Sequence, residues 1–284
     1  MARWGIADDG DVIEVAGPDD VVEAVLVTAA PPLGVVWRST QPPRMPVQRR
    51  IEVDADADGR IDVRVDGHRR AGGADAVESE LALFAAERLE GLVAVHAAVL
   101  RVESDVVVIP GRSHSGKSTW CAAALDAGHE VWSDEFALVD RVGCVRGWPR
   151  PLRLRTASGV VRRALSPTAQ APVGASAGAP VAVVAAVAHG ARHEVRGLSE
   201  SEAIGVVLAN VVCAQRRPEE SFAAAVALVR GARCVGGTRG EADDAVRWLA
   251  DMLGRGAGSD TAGARGAAAG EHTATAHGTA RRLR

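Results

Sequence analysis

The stretch Val106–Thr119, VVVIPGRSHSGKST, constrains this chain more than any other. Val106 to Ile109 is a short apolar run with strand preference, closed by Pro110. Gly111 to Ser118 then read G-x-x-x-x-G-K-S, and a helix-forming run, Trp120 to Ala127, follows. A buried strand, a glycine-bounded turn and a helix with free N–H groups are the setting in which this pattern cradles phosphate. Gly111 and Gly116 let the backbone approach an anion without a Cβ in the way. The predicted cradle is the backbone from Gly111 through Arg112, Ser113, His114, Ser115 and Gly116 to Lys117, Ser118 and Thr119, at the positive end of a helix. Lys117 is placed to reach β- and γ-phosphates, and the Ser118 hydroxyl to hold Mg²⁺.

Lys117 is also the only lysine in the chain, so the rest of the 33 Lys+Arg are arginine. A composition that replaces lysine wherever a generic cation will serve keeps one at the position where a compact ammonium is not interchangeable with a guanidinium. That retention points to chemistry.

At 284 residues the chain has room for one large domain or two modest ones. A net charge of −3 and few aromatic residues disfavour nucleic-acid binding, which calls for a basic face and stacking rings. Cys121, Cys144, Cys213 and Cys234 show neither C-x-x-C pairing nor metal spacing and read as buried free thiols of a reducing compartment. The acidic start MARWGIADDG does not resemble a signal peptide, and no apolar run reaches spanning length. The expectation is a cytoplasmic protein with no membrane partner.

Residues 1–75 are predicted as a β-rich region, with strands at Val21–Thr28 and Gly34–Trp37 between prolines. Asp54, Asp56, Asp58 and Gly59 imitate the start of an EF-hand loop, but Val65 stands where a bidentate glutamate is needed; a hairpin turning at Asp58-Gly59 is the expectation. Ala76–Leu89 has helical spacing, with Asp75 as the expected N-cap. Leu92–Leu100 is a buried element with one polar residue, His96.

After the motif helix, HEVWSDEFALVD is predicted as one strand with Ser133, Asp134 and Glu135 at its centre. Two carboxylates there need a positive neighbour, and a Mg²⁺ held between Ser118 and an acid would supply it. Arg150, Arg153 and Arg155 share a face if extended and would meet phosphate or an acidic substrate segment, or form a solvated edge strand. Ser166–Pro180 is a linker or a lid. Val181–Val187 is a buried strand with Arg192–Arg196 as its antiparallel partner. Ser199 with Glu202 opens a helix by a capping box, Glu219–Val229 and Glu241–Leu253 are helices, and Arg233–Val235 is a short strand. Residues 76–253 form the nucleotide-binding domain in this reading, and 254–284 a disordered tail.

These residues resemble the catalytic domain of HPr kinase/phosphorylase and its shorter relatives. That family runs a V-H-A element, a strand, a G-x-S-x-x-G-K-S loop, a helix ending in G-H, and a strand carrying A-D-D. Here the order reads VHAAVL, VVVIPGRSHSGKST and AALDAGHEVWSDEFALVD, over roughly residues 92–140. The resemblance implies an α/β fold: a P-loop domain of the HPr kinase and ATP-dependent phosphoenolpyruvate carboxykinase type, with a mixed sheet and with ATP and Mg²⁺ as ligands. It puts His96 near the transferring phosphate and Asp134 and Glu135 at the paired acids, one binding Mg²⁺ and one taking the proton from an attacking hydroxyl, with the base assigned to Asp134 and the reverse division as the alternative. Glu135 stands where the family has a second Asp, and no E-I-R-G-x-G or P-G-R-N segment follows. The chain is more similar to small HPr-kinase-like proteins of ribosomal-peptide pathways, including lasso-peptide kinases, which implies a serine or threonine hydroxyl of a peptide or small protein as acceptor. The alternatives are an ATP-binding regulatory or assembly module without transfer activity, and a kinase for a small-molecule hydroxyl. A homo-oligomer is compatible with each.

Overall fold

The computed structural model describes residues 2–8, 11–29, 37–39, 46–112, 115–148, 150–156, 159–165 and 178–263. Chain contacts divide the protein into two units, Met1–Val246 and Arg247–Arg284. The architecture is mixed α/β, and among the described residues no helix is long and apolar enough to cross a membrane.

The N-terminal part of the first unit is built from β1 (Ala2–Asp8), β2 (Asp11–Gly17), α1 (Asp19–Ala29), β3 (Trp37–Ser39), β4 (Val47–Ala55), β5 (Ile61–Val65) and β6 (His68–Arg70). These strands form one sheet in the order β3-β1-β2-β4-β5-β6, antiparallel except for β2 against β4. A parallel neighbour needs a crossover, and α1 lies within it. The predicted strand at Val21–Thr28 is therefore a helix. Asp19 and Asp20 stand at its positive end, and Val22, Val25 and Leu26 are buried at helical spacing, so packing overrides the β preference of valine. Gly34–Val36 of the next predicted strand lies outside the described residues.

The hairpin between β4 and β5 turns where expected. The Asp56 carboxylate accepts from the N–H groups of Asp58 and Arg60, and Gly59 takes φ +73°. Asp56 is thereby consumed by its own turn, and no calcium reading is needed. Helix α2 (Ala74–Ala86) covers this sheet through Val77, Leu81 and Phe84. Its N-cap is Gly73, not Asp75, because the Asp75 carboxylate is taken by Arg162 at 2.7 Å.

The second sheet is assembled from β7 (Val93–Val102), β8 (Asp105–Pro110), β9 (Glu130–Ser133), β10 (Phe136–Val139), β11 (Val145–Gly147), β14 (Val181–His189), β15 (Glu194–Gly197) and β16 (Arg233–Arg239). Its order is β11-β10-β7-β8-β14-β16-β15, with β9 also on β7. The centre, β8-β14-β16, is parallel and the flanks are antiparallel. β14 has β8 on one edge and β16 on the other, so β15 cannot pair with it as expected and joins β16 instead.

Helices α3 (Lys117–Asp126), α4 (Glu200–Leu208) and α5 (Pro218–Val229) accompany this sheet. Ser199 and Glu202 form the reciprocal capping box at the start of α4. A separate hairpin, β12 (Leu152–Thr156) with β13 (Gly159–Arg163), is tied to α2 by Arg153 and Arg162 and to α3 by Arg163. The predicted linker or lid lies at residues 166–177 outside the described residues; Ala179, just after it, exchanges both backbone hydrogen bonds with Val145. Helix α6 (Ala242–Gly263) continues past the expected end at Leu253, with no proline to stop it, and residues 264–284 of the predicted tail lie outside the described residues.

Candidate active site

The motif sits between a buried strand and a helix. β8 delivers the chain to Gly111, whose N–H donates to the His96 carbonyl at 3.1 Å. A Cβ on Gly111 would stand 2.7 Å from the Ser115 hydroxyl oxygen, so that hydroxyl would have to turn away. Gly116 is the N-cap of α3 at φ +88°, with no side-chain cap. The first N–H groups of α3 therefore lack an intrahelical partner. Lys117 is buried, and its ammonium donates to the Gly111 carbonyl at 2.6 Å and the Arg112 carbonyl at 2.9 Å. Burial lowers its pKa, against the raising influence of Glu135 and Asp134. Arg112 and Thr119 are exposed, and Ser113 and His114 lie outside the described residues.

Asp134 and Glu135 are not inside a strand, as expected, but at the bend between β9 and β10. The bend has a local cause. The Ser133 hydroxyl oxygen accepts from the N–H groups of Glu135 and Phe136, both at 3.1 Å, which turns the backbone out of the ladder. Asp134 then faces α3, and Ser118 donates its hydroxyl to Asp134 Oδ2 at 2.6 Å. The other oxygen, Oδ1, is buried without a hydrogen-bond partner. Burial raises the Asp134 pKa, with Arg150 and the Ser118 hydrogen bond opposing it.

The positive neighbour that the acid pair requires is present in the chain itself. Arg150 is 9% exposed, pairs with Glu135 Oε2 through NH2, and brings Nε to 3.8 Å from Asp134 Oδ1. The three arginines expected to share a face do not act together. Arg153 instead donates to the Asp75 carbonyl and the Ser79 hydroxyl of α2, and the Arg155 side chain lies outside the described residues.

His96 lies on β7 opposite Phe136, its ring 5.8 Å from the Phe136 ring. Its pKa falls to about 4, first through burial and then through the positive charges of Lys117 and Arg150. The ring is a neutral acceptor or donor near pH 7, not a cation. The structure thus brings His96, Lys117, Ser118, Asp134 and Glu135 into one electrostatically coupled cluster.

The sequence singles out Arg150 for phosphate or an acidic substrate segment, whereas its partners here are the chain's own acids, and it gives no sign of Arg239. Arg239, at the end of β16, is 2% exposed and donates to the Gly116 carbonyl at 3.2 Å. Its guanidinium carbon stands 5.3 Å from the centre of the Trp120 ring. Nothing local in the sequence marks it, since 123 positions separate it from Gly116. Among the described residues no group of three or more His, Cys, Asp or Glu side chains forms a metal cage.

No protein-family profile matches this sequence, and no curated protein matches it. Among solved structures, the HPr(Ser) kinase/phosphatase from Coxiella burnetii aligns over 60% of this chain and 96% of its own, at 13% identity and a TM-score of 0.33. A likeness at that level carries no functional argument.

Proposed function

We propose that this chain is an ATP- and Mg²⁺-dependent kinase that transfers a γ-phosphoryl group to a serine or threonine hydroxyl of a peptide or small protein, on a P-loop domain of the HPr kinase type. The observation that carries this reading is the 2.6 Å hydrogen bond from Ser118 to Asp134. It joins the last residue of the phosphate-loop pattern to an acid pair, the combination on which metal-assisted phosphoryl transfer depends.

The residues fit the ligands they would take. A left-handed glycine at an uncapped helix N-terminus, with a lysine beside it, suits an anion. Mg²⁺ takes one or two carboxylates and completes its shell with phosphate and water, so Ser118 and the free Oδ1 of Asp134 suffice without a protein cage. Bound there, Mg²⁺ would neutralise charge on the transferring group.

Lys117 would leave the loop carbonyls for phosphate oxygens, and the loop amides would hold the nucleotide in line. The partners of the acids favour the reverse of the division expected from the sequence: Asp134, bonded to Ser118, takes the metal side, and the base is Glu135. Glu135, the more accessible side chain at 18%, takes the proton from the acceptor hydroxyl. Neutral His96 would orient that hydroxyl by a hydrogen bond.

A second reading has its own support. Arg150 occupies Glu135, which suits a nucleotide-binding module with no transfer step. Incubation with γ-labelled ATP and candidate peptides separates the two. The kinase reading expects label on a hydroxyl, lost in Lys117→Ala and Asp134→Asn. Binding of ATP with no labelled acceptor in any fraction would leave only the module.

A further inference from the structure

Arg150 has more hydrogen-bonding capacity than its acid partners use. Its side chain is 8% exposed, yet only NH2 finds an acceptor, on Glu135. NH1 and Nε are buried with no hydrogen-bond partner. Desolvating guanidinium N–H donors and leaving them unpaired is costly, so such a group calls for an acceptor, whether a ligand or water. The surroundings indicate what that acceptor is. Arg150 lowers the pKa of both His96 and Lys117, so its charge lies within reach of the lysine that meets the β- and γ-phosphates. It pairs with the acids, whereas Lys117 holds the Gly111 and Arg112 carbonyls. A phosphate held by the loop and lysine would therefore present its terminal oxygens toward Arg150.

We propose that Arg150 contacts the terminal phosphate of the bound nucleoside triphosphate through its NH1 edge, and so makes the site selective for tri- over diphosphate. Until nucleotide arrives, the same guanidinium pairs with Glu135 and opposes the rise that burial imposes on the Asp134 pKa. A planar guanidinium can serve both sides at once, with NH2 on Glu135 and NH1 on phosphate, which a point-charge ammonium cannot. This inference rests on the nucleotide reading above but not on transfer activity.

The test is titration calorimetry of Mg-ATP and Mg-ADP into the full chain, its Arg150→Met and Arg150→Lys variants, and the double variant Arg150→Met/Glu135→Gln. The double variant removes the unpaired acid that would otherwise unfold a single one. The expected result is tighter binding of Mg-ATP than of Mg-ADP by the native chain. Loss of Arg150 should weaken Mg-ATP by about 10- to 100-fold while Mg-ADP changes by less than about 3-fold, the size of one charge-assisted contact. Lysine at 150 should restore only part of the difference. Equal weakening of both nucleotides would make Arg150 a purely structural counter-ion, and unchanged affinities in a folded double variant would show that water satisfies NH1; either result overturns the proposal. A native chain that binds neither nucleotide takes down the nucleotide reading as well, whereas native binding with equal losses takes down only this inference.

Discussion

Ser118 and Asp134 share a proton-donor and acceptor pair 2.6 Å apart, which fastens the first turn of α3 to the bend between β9 and β10. One hydrogen bond therefore couples the anion cradle to the acids, and its removal has two readouts. Ser118→Ala leaves both oxygens of a buried carboxylate without a hydrogen-bond donor. Unfolding in urea should show a loss of about 1–3 kcal/mol. Calorimetry should show Mg²⁺-dependent nucleotide affinity falling by about 10-fold or more, as expected for one charge-assisted interaction. A variant as stable as the native chain, with unchanged Mg-ATP affinity, would disconnect the two elements.

Gly116 is constrained twice over. At φ +88° an L-residue is strained, and a Cβ would come within 2.7 Å of Arg239 NH2. Gly116→Ala should cost about 1–2 kcal/mol from backbone conformation alone. Displacing Arg239 adds to that and tilts the loop, so nucleotide binding should be lost with the variant still folded at low temperature. Circular dichroism melting and calorimetry on the same sample check both halves.

Burial depresses His96 to about 4 from its ordinary 6.5, with Lys117 and Arg150 adding to the effect and Asp134 opposing it. Between those values the unfolded chain holds a proton on this ring that the folded chain lacks, so the ring's contribution makes stability rise with pH. That contribution is complete above about pH 6.5 and is lost as pH falls toward 4. Asp134 runs the opposite way, since its raised pKa makes the folded chain the better proton binder. Melting temperatures of native and His96→Asn protein should therefore differ in slope only below about pH 6.5, with the variant the flatter. Parallel profiles would mean the ring is solvated.

The β12–β13 hairpin is held to α2 by Arg153 and Arg162 on Asp75, Glu78 and Ser79. Arg153→Ala with Arg162→Ala leaves Glu78, 6% exposed, without its cations. A loss of about 1–3 kcal/mol is expected, between the limits for exposed and fully buried pairs. Limited proteolysis of the double variant should add a cut within 152–165 that the native chain resists, and no new cut there would place the weak point outside this clamp.

Legibility in the sequence followed the range of the forces involved. The strand that starts near Val106 and the helix that ends at Asp126, the capping box at Ser199 and the hairpin turn at Asp56–Arg60 depend on neighbours a few positions apart, and all could be read directly. Val21–Thr28 misled because local β preference lost to burial of Val22, Val25 and Leu26 on one helical face. The acid pair was visible, but the bend that aims it depends on one hydroxyl, Ser133, in a run that otherwise reads as a strand. Arg150 and Arg239 reach the cluster only through tertiary folding. An arginine-rich chain offers no signal for which guanidinium is buried.

The central claim is that the cradle around Gly116 holds a nucleoside triphosphate together with Mg²⁺. Calorimetric titration of Mg-ATP into the intact chain, beside Lys117→Ala and a magnesium-free control, tests it most directly. The account expects a saturable heat of binding for the native chain that disappears with the lysine and weakens without the metal. No heat for the native chain, or equal heat from Lys117→Ala, would contradict it.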